Sequence, residues 1–223
     1  SGDNSPTFSF NGTSDYFTTS PGIFSAGISG AFTLELWIYP TSITNRQGLI
    51  ATTSSPIFAI QGQSVSGAIG VGRFGQSDFI NTGAGAITAN TWQHIVWQRD
   101  SNFLNTIYVN GVLKASATES STWSSSPSIG YSNFSSEYFA GYMSNIRFTN
   151  GTAIYTGAFT SPIAPLQLTQ LAGTSANIGP VTANQVTFLW LTGANQNNTQ
   201  IVDSSPNGLN LIRSGGVATG SFN

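Results

Sequence analysis

The chemistry available to this 223-residue chain is sparse. It has one histidine, eight acids, six bases and no cysteine. Without cysteine there is no disulfide framework, no thiolate zinc site and no cysteine nucleophile. A lone histidine, His94, excludes a multi-histidine metal centre. A serine hydrolase would need a nucleophile elbow of the form G-x-S-x-G, and none occurs. Glycoside hydrolysis needs two carboxylates roughly 5–10 Å apart. On a strand, that means acids two or four positions apart on one face. Glu35 shares its face with Thr33, Trp37 and Tyr39, and the next acid in sequence is Asp78. Glu35 is therefore expected to be a structural acid paired with an arginine or a hydroxyl network. His94 is expected to be a hydrogen-bonded core histidine. The segment Gly70-Val71-Gly72-Arg73-Phe74-Gly75 formally matches G-x-G-x-x-G. The dinucleotide motif requires a helix directly after it, and residues 76–81 read instead as a turn and a strand.

Two other sets of residues suit binding rather than turnover. A glycan site needs aromatic rings to stack on sugar C–H faces, flanked by amides and hydroxyls. Trp123 stands alone in a polar run, and Tyr131, Asn133, Phe134 and Tyr138 share the segment 130–139. Trp123, Tyr131, Asn133 and Tyr138 are the expected glycan contacts. The alternative is that Trp123 and Phe134 cap the core or a subunit interface. Calcium takes six to eight oxygen ligands. Asp15, in the turn at 11–16, and Asp203, in the turn at 203–208, are the candidates to hold it. The alternative is that both are Asx-turn residues bonding backbone N–H groups.

These residues must be held by strands. Only 6% of residues are charged and 12% are aromatic, and Ser, Thr, Asn and Gly supply the polarity. A formal charge of −2 gives no basic patch for nucleic acid. No stretch is apolar enough to insert in a membrane, and no signal sequence is recognisable. Clean helical periodicity is absent. Phe32, Leu34, Leu36 and Ile38 alternate with Thr33, Glu35, Trp37 and Tyr39, a period of two. Trp92, His94, Val96 and Gln98 alternate likewise with Gln93, Ile95, Trp97 and Arg99. Met143, Asn145 and Arg147 are expected to face opposite to Tyr142, Ser144, Ile146 and Phe148. Asn110-Gly111 between two β-rich runs is a strong hairpin signal. Hairpin pairs are also expected at 48–52 with 57–61, and at 68–73 with 78–82. Later strands are expected at 186–191 and 209–213. Many short strands at this spacing predict an all-β antiparallel sandwich or barrel.

Four motifs carry a family resemblance. Phe32-Thr33-Leu34-Glu35-Leu36-Trp37-Ile38-Tyr39-Pro40 resembles the FTxExWxxP strand of laminin G-like, concanavalin A-like jelly rolls. Trp92-Gln93-His94-Ile95-Val96 resembles their WxHIA strand, and Ile107-Tyr108-Val109-Asn110-Gly111 their YvNG hairpin. Residues 139–148, from Phe139 through Gly141 to Ile146-Arg147-Phe148, resemble the closing strand. The motifs occur in family order across residues 7–150. The run Ile146-Arg147-Phe148-Thr149-Asn150-Gly151-Thr152-Ala153-Ile154-Tyr155 is also similar to laminin G-like modules in virion proteins of tailed phages, including marine ones. Asp203-Ser204-Ser205-Pro206-Asn207-Gly208 resembles a turn that in the family precedes the first strand, which implies that Asp15 and Asp203 lie near each other.

The resemblance implies one laminin G-like jelly-roll module over residues 1–223. Its core would be 7–168. Residues 183–223 would complete the sandwich or begin a next repeat. The expected role is non-catalytic adhesion to a cell-surface polysaccharide or glycan. The setting would be a virion or extracellular surface, with other virion proteins or copies of itself as neighbours. The alternatives are a structural decoration or spacer, and a glycoside hydrolase or lyase of the same fold.

Overall fold

The computed structural model describes residues 6–24, 27–53, 55–62, 65–124, 126–171, 176–190 and 203–221. Among these there is no α-helix. The first strands are β1 (Pro6–Asn11), β2 (Tyr16–Ser20), β3 (Phe32–Pro40), β4 (Gln47–Ala51), β5 (Ile57–Ile60), β6 (Ile69–Gly72), β7 (Asp78–Asn81) and β8 (Gln93–Arg99). They are followed by β9 (Leu104–Val109), β10 (Val112–Thr118), β11 (Ser128–Ile129), β12 (Tyr131–Ser132), β13 (Glu137–Tyr138), β14 (Ala140–Asn150), β15 (Val186–Trp190), β16 (Asn210–Ser214) and β17 (Ala218–Ser221).

The strands form two large sheets. The larger runs β10-β9-β8-β3-β14-β1-β17, with β15 also on β14, and the smaller runs β16-β2-β11-β4-β5-β6-β7. Among the described residues the ladders in both sheets are antiparallel, β3 on β8 and β4 on β5 among them. This is the expected β-sandwich. The described strands between 183 and 221 pair within these same sheets: β15 on β14, β16 on β2 and β17 on β1.

The alternation in β3 sets the layers. Phe32, Leu34, Leu36 and Ile38 are fully buried in the main core, with Ile95 and Trp97 of β8 and Phe17, Ile50, Phe58 and Val71 of the smaller sheet. Burying each such side chain contributes roughly 1.5–3 kcal/mol. Thr33, Glu35, Trp37 and Tyr39 take the outer face. Part of that face is covered by residues 154–168 and 178–189, whose Ile154, Tyr155, Leu166, Val181, Val186 and Leu189 build a second apolar cluster with Val96 and Tyr108 of the sheet. Asn110 and Gly111 turn between β9 and β10 with φ of +50° and +76°, as a type I′ turn demands.

Three elements depart from the sequence expectation. β2 was not anticipated, because Tyr16–Ser20 lacks apolar alternation beyond Phe17 and follows a turn. The segment 130–139, where no strand is expected, contains the β12–β13 hairpin. In β14 the expected faces are corrected: Met143, Ile146 and Phe148 all enter the core, while Arg147 turns to the outer face. A register shift between Ser144 and Arg147, with Asn145 at φ +49°, inserts a bulge that breaks the period of two.

Candidate functional site

The β12–β13 hairpin lies across the outside of the smaller sheet. Its two ladder pairs are Tyr131 with Tyr138 and Ser132 with Glu137. Ser132 and Glu137 are buried, while Tyr131 and Tyr138 remain half-buried. Gly48 makes this crossing possible. A Cβ there would fall 2.5 Å from the Ser132 nitrogen, so any side chain would lift the hairpin off the sheet. Arg46 clamps it from the side, ion-pairing with Glu137 at 3.2 Å and with Asp78 of β7 at 3.5 Å.

On this clamped hairpin three tyrosines gather. Tyr131 stacks on Tyr16 of β2 at 4.8 Å and packs at a tilt on Tyr138 at 4.6 Å. Tyr16 and Tyr138 are 6.4 Å apart, well short of a linear stack, so the rings form a compact triangle. The Tyr131 hydroxyl donates to Asn133 Oδ1 at 2.9 Å. That leaves the NH₂ end of the exposed Asn133 amide as a donor for a ligand. Burial, with the neighbouring Tyr138 phenol, pushes the Tyr131 hydroxyl above its ordinary range. It therefore stays neutral through physiological pH. At the tip, Phe134 meets Phe74 of the β6–β7 turn edge-to-face at 5.2 Å. Both rings are 45% exposed.

The structure thus brings together Tyr131, Asn133 and Tyr138, and it adds Tyr16 and Phe74, which sequence reading missed. Tyr16 carried no signal because β2 was unrecognised. Phe74 lay inside the G-x-G-x-x-G match, a segment that forms a strand and turn with no helix.

Trp123 is corrected from surface platform to core residue. It is only 3% exposed. Its backbone bridges Ile28, accepting at 2.6 Å and donating at 3.1 Å, which draws the ring inward. There it stacks on Phe79 at 6.0 Å and packs on Trp97 at 5.3 Å, with the Arg99 guanidinium 4.8 Å from its ring centre. A sugar has no access to it.

Asp15 and Asp203 are not neighbours. The antiparallel register of β16 on β2 places Tyr16 beside Ser214 and Ser20 beside Asn210. Asp15 accordingly accepts from Gly216 N at 2.7 Å and Asn11 N at 3.0 Å. Asp203 accepts from Leu189 N, Leu209 N and Ser205 N, each at 2.9 Å, and from Ser205 Oγ at 2.6 Å. The two carboxylates sit at opposite ends of β16, a strand roughly 15 Å long. Both fill the N–H-accepting role. Among the described residues no three His, Cys, Asp or Glu gather in one place.

Glu35 sits beneath Tyr155 with no solvent exposure. Its Oε1 accepts from Arg147 Nε at 2.9 Å and Nη2 at 2.6 Å. Its Oε2 accepts from the Tyr155 hydroxyl at 2.7 Å and meets His94 Nε2 at 3.1 Å. Burial alone would raise the Glu35 carboxyl; the Arg147 charge, with the His94 and Tyr155 contacts, outweighs it and holds it at about 2. Burial and the Glu35 charge push the Tyr155 phenol far upward. This is a sealed ion-pair network, as expected for both Glu35 and His94. Asp78 and Glu137 are also brought together, but both are buried and share Arg46.

Fold and site together define a concanavalin A-like β-sandwich that carries an aromatic surface cluster. Residues 11–153 match the model of the concanavalin A-like lectin/glucanases superfamily, laminin G type, and the chain belongs to that superfamily. Among curated proteins, none matches it in sequence. A candidate carbohydrate binding protein from Bacteroides ovatus superposes with a TM-score of 0.61 at 16% identity, over 98% of this chain and 60% of that one. A native heptameric SAP-like pentraxin from Limulus polyphemus superposes with a TM-score of 0.55 at 14% identity, over 98% of this chain and 95% of that one. At these identities the likeness is one of fold. No helix among the described residues is long and apolar enough to cross a membrane.

Proposed function

We propose that the protein is a non-catalytic carbohydrate-binding module. The observation that carries this is the triangle of Tyr16, Tyr131 and Tyr138 beside Asn133, held at the surface on a clamped hairpin. Partly exposed tyrosines offer C–H-stacking faces and hydroxyls, and Asn133 offers an amide; this is the chemistry of a shallow sugar site. The likeness to a candidate carbohydrate binding protein supports the reading at the level of fold. Catalysis by Glu35 is disfavoured, because the carboxylate is enclosed and committed to Arg147.

The surface of hydroxyls and amides, together with the resemblance of residues 146–155 to tailed-phage modules, supports a place on a virion or other extracellular surface. There the partners are host-surface glycans and neighbouring copies or virion proteins. Many copies raise avidity by about 10²–10⁴ without new contacts. A glycan array tests the proposal: the wild type should bind one class of glycan, and Tyr131→Ala should abolish the signal while lowering the melting midpoint only slightly. No binding across a broad panel would favour a purely structural spacer.

A further inference from the structure

We infer that the binding surface extends from the tyrosine triangle to the Phe74–Phe134 pair, so that its ligand is a neutral oligosaccharide chain of several units rather than a single terminal sugar. The inference rests on the carbohydrate reading above and deepens it.

Phe74 and Phe134 come from segments far apart in sequence, yet their rings meet edge-to-face at 5.2 Å. Each leaves 45% of its surface in water. Two adjacent apolar rings in solvent are unfavourable unless something covers them. Their position shows what suits them. Phe134 and Tyr131 are three residues apart on one hairpin, which limits their separation to roughly 10 Å. Asn133 lies between them, with its Oδ1 held by the Tyr131 hydroxyl. The sequence of groups along the hairpin is therefore aromatic cluster, amide, aromatic pair. Repeating C–H faces separated by hydroxyls match that order, as a chain of sugars presents them.

The hairpin is also fixed before binding. The Phe134 nitrogen donates to Ser132 Oγ at 3.3 Å, and Arg46 ties Glu137 to Asp78. Phe74 is anchored separately, its nitrogen donating to Ser55 Oγ at 3.2 Å. A preformed platform loses little ordering entropy on binding, so each further ring it contacts adds to affinity. The charges beside the platform are paired within the protein: Arg46, largely buried, with Asp78 and Glu137, and the partly exposed Arg73, next to Phe74, with Glu119. A neutral chain fits it better than a sulfated or uronic acid polymer.

The test is titration calorimetry with gluco-, xylo- and manno-oligosaccharides of two to six units, alongside a uronic acid series of the same lengths. Wild-type affinity for a neutral series should rise with chain length. The double variant Phe74→Ala, Phe134→Ala should lose about tenfold on the longest members and progressively less on the shorter ones. Tyr131→Ala should lose binding at every length. A length-independent affinity, an equal loss at all lengths in the double variant, or a preference for the uronic acid series would overturn the extended neutral site and leave the tyrosine site standing. Absence of binding to every series would sink both readings. Both phenylalanines are exposed, and unchanged melting of the double variant confirms that folding is not at issue.

Discussion

Arg147 places two donors, Nε and Nη2, on a single oxygen of Glu35, across 112 residues of sequence and between adjacent strands of the larger sheet. The other oxygen is left for Tyr155 and His94. Each side chain is fully enclosed, so removing one partner strands the other's charge. Glu35→Gln should therefore destabilise the fold by about 3–5 kcal/mol, measured by denaturant unfolding. Glycan affinity of the folded fraction should stay at the wild-type level. Loss of affinity without loss of stability would give Glu35 a role in binding instead.

The same carboxylate sets an acid limit. It titrates at about 2 in the folded protein against 4.5 ordinarily. Between those values the unfolded chain binds the proton and the folded one does not, so stability rises with pH across that interval. The contribution is complete above pH 4.5 and lost progressively as pH falls toward 2. Melting midpoints of the wild type should drop through this window. Those of Glu35→Gln should drop less, and parallel curves would refute the assignment.

Trp123 and Tyr131 should respond oppositely. Trp123→Ala removes a ring packed on Phe32, Phe79 and Trp97 and should cost about 3–5 kcal/mol. Tyr131→Ala should cost far less stability while removing sugar binding. A stable Trp123→Ala protein with weakened binding would return the tryptophan to the surface.

Asp203 gathers four donors from β15 and its own turn. Asp203→Ala should cost about 2–3 kcal/mol, since hydrogen bonds to a charged acceptor are the stronger kind. Its oxygens and those of Asp15 are already engaged by N–H groups, so EDTA should leave the wild-type melt unchanged. A midpoint that fell with EDTA and returned with calcium would establish a cation site.

The sandwich was legible wherever a strand buries one face. Phe32, Leu34, Leu36 and Ile38 declare β3 because the pleat turns alternate residues into the core. Glu35 and His94 were legible as structural for the same reason, being fixed on the opposite face of known strands. Asn145 was not, since a bulge depends on what the partner strand does. Trp123 misled because its flanks are polar; only the backbone bridge to Ile28 decides where its ring goes. Tyr16 was invisible as a site residue until β2 was seen beside β11. The order of family segments implies that Asp15 and Asp203 are close, whereas the register of β16 on β2 separates them.

Each sheet pairs one of its first strands with a strand made far later: β17 covers β1, and β16 covers β2. Until residues 210–221 leave the ribosome, both earlier strands present unpaired N–H and C=O rows, and bare edges invite pairing between chains. Pairings 190 to 215 residues apart in the numbering also make closure slow. Expression at low temperature, or with a holdase present, should therefore raise the yield of soluble protein.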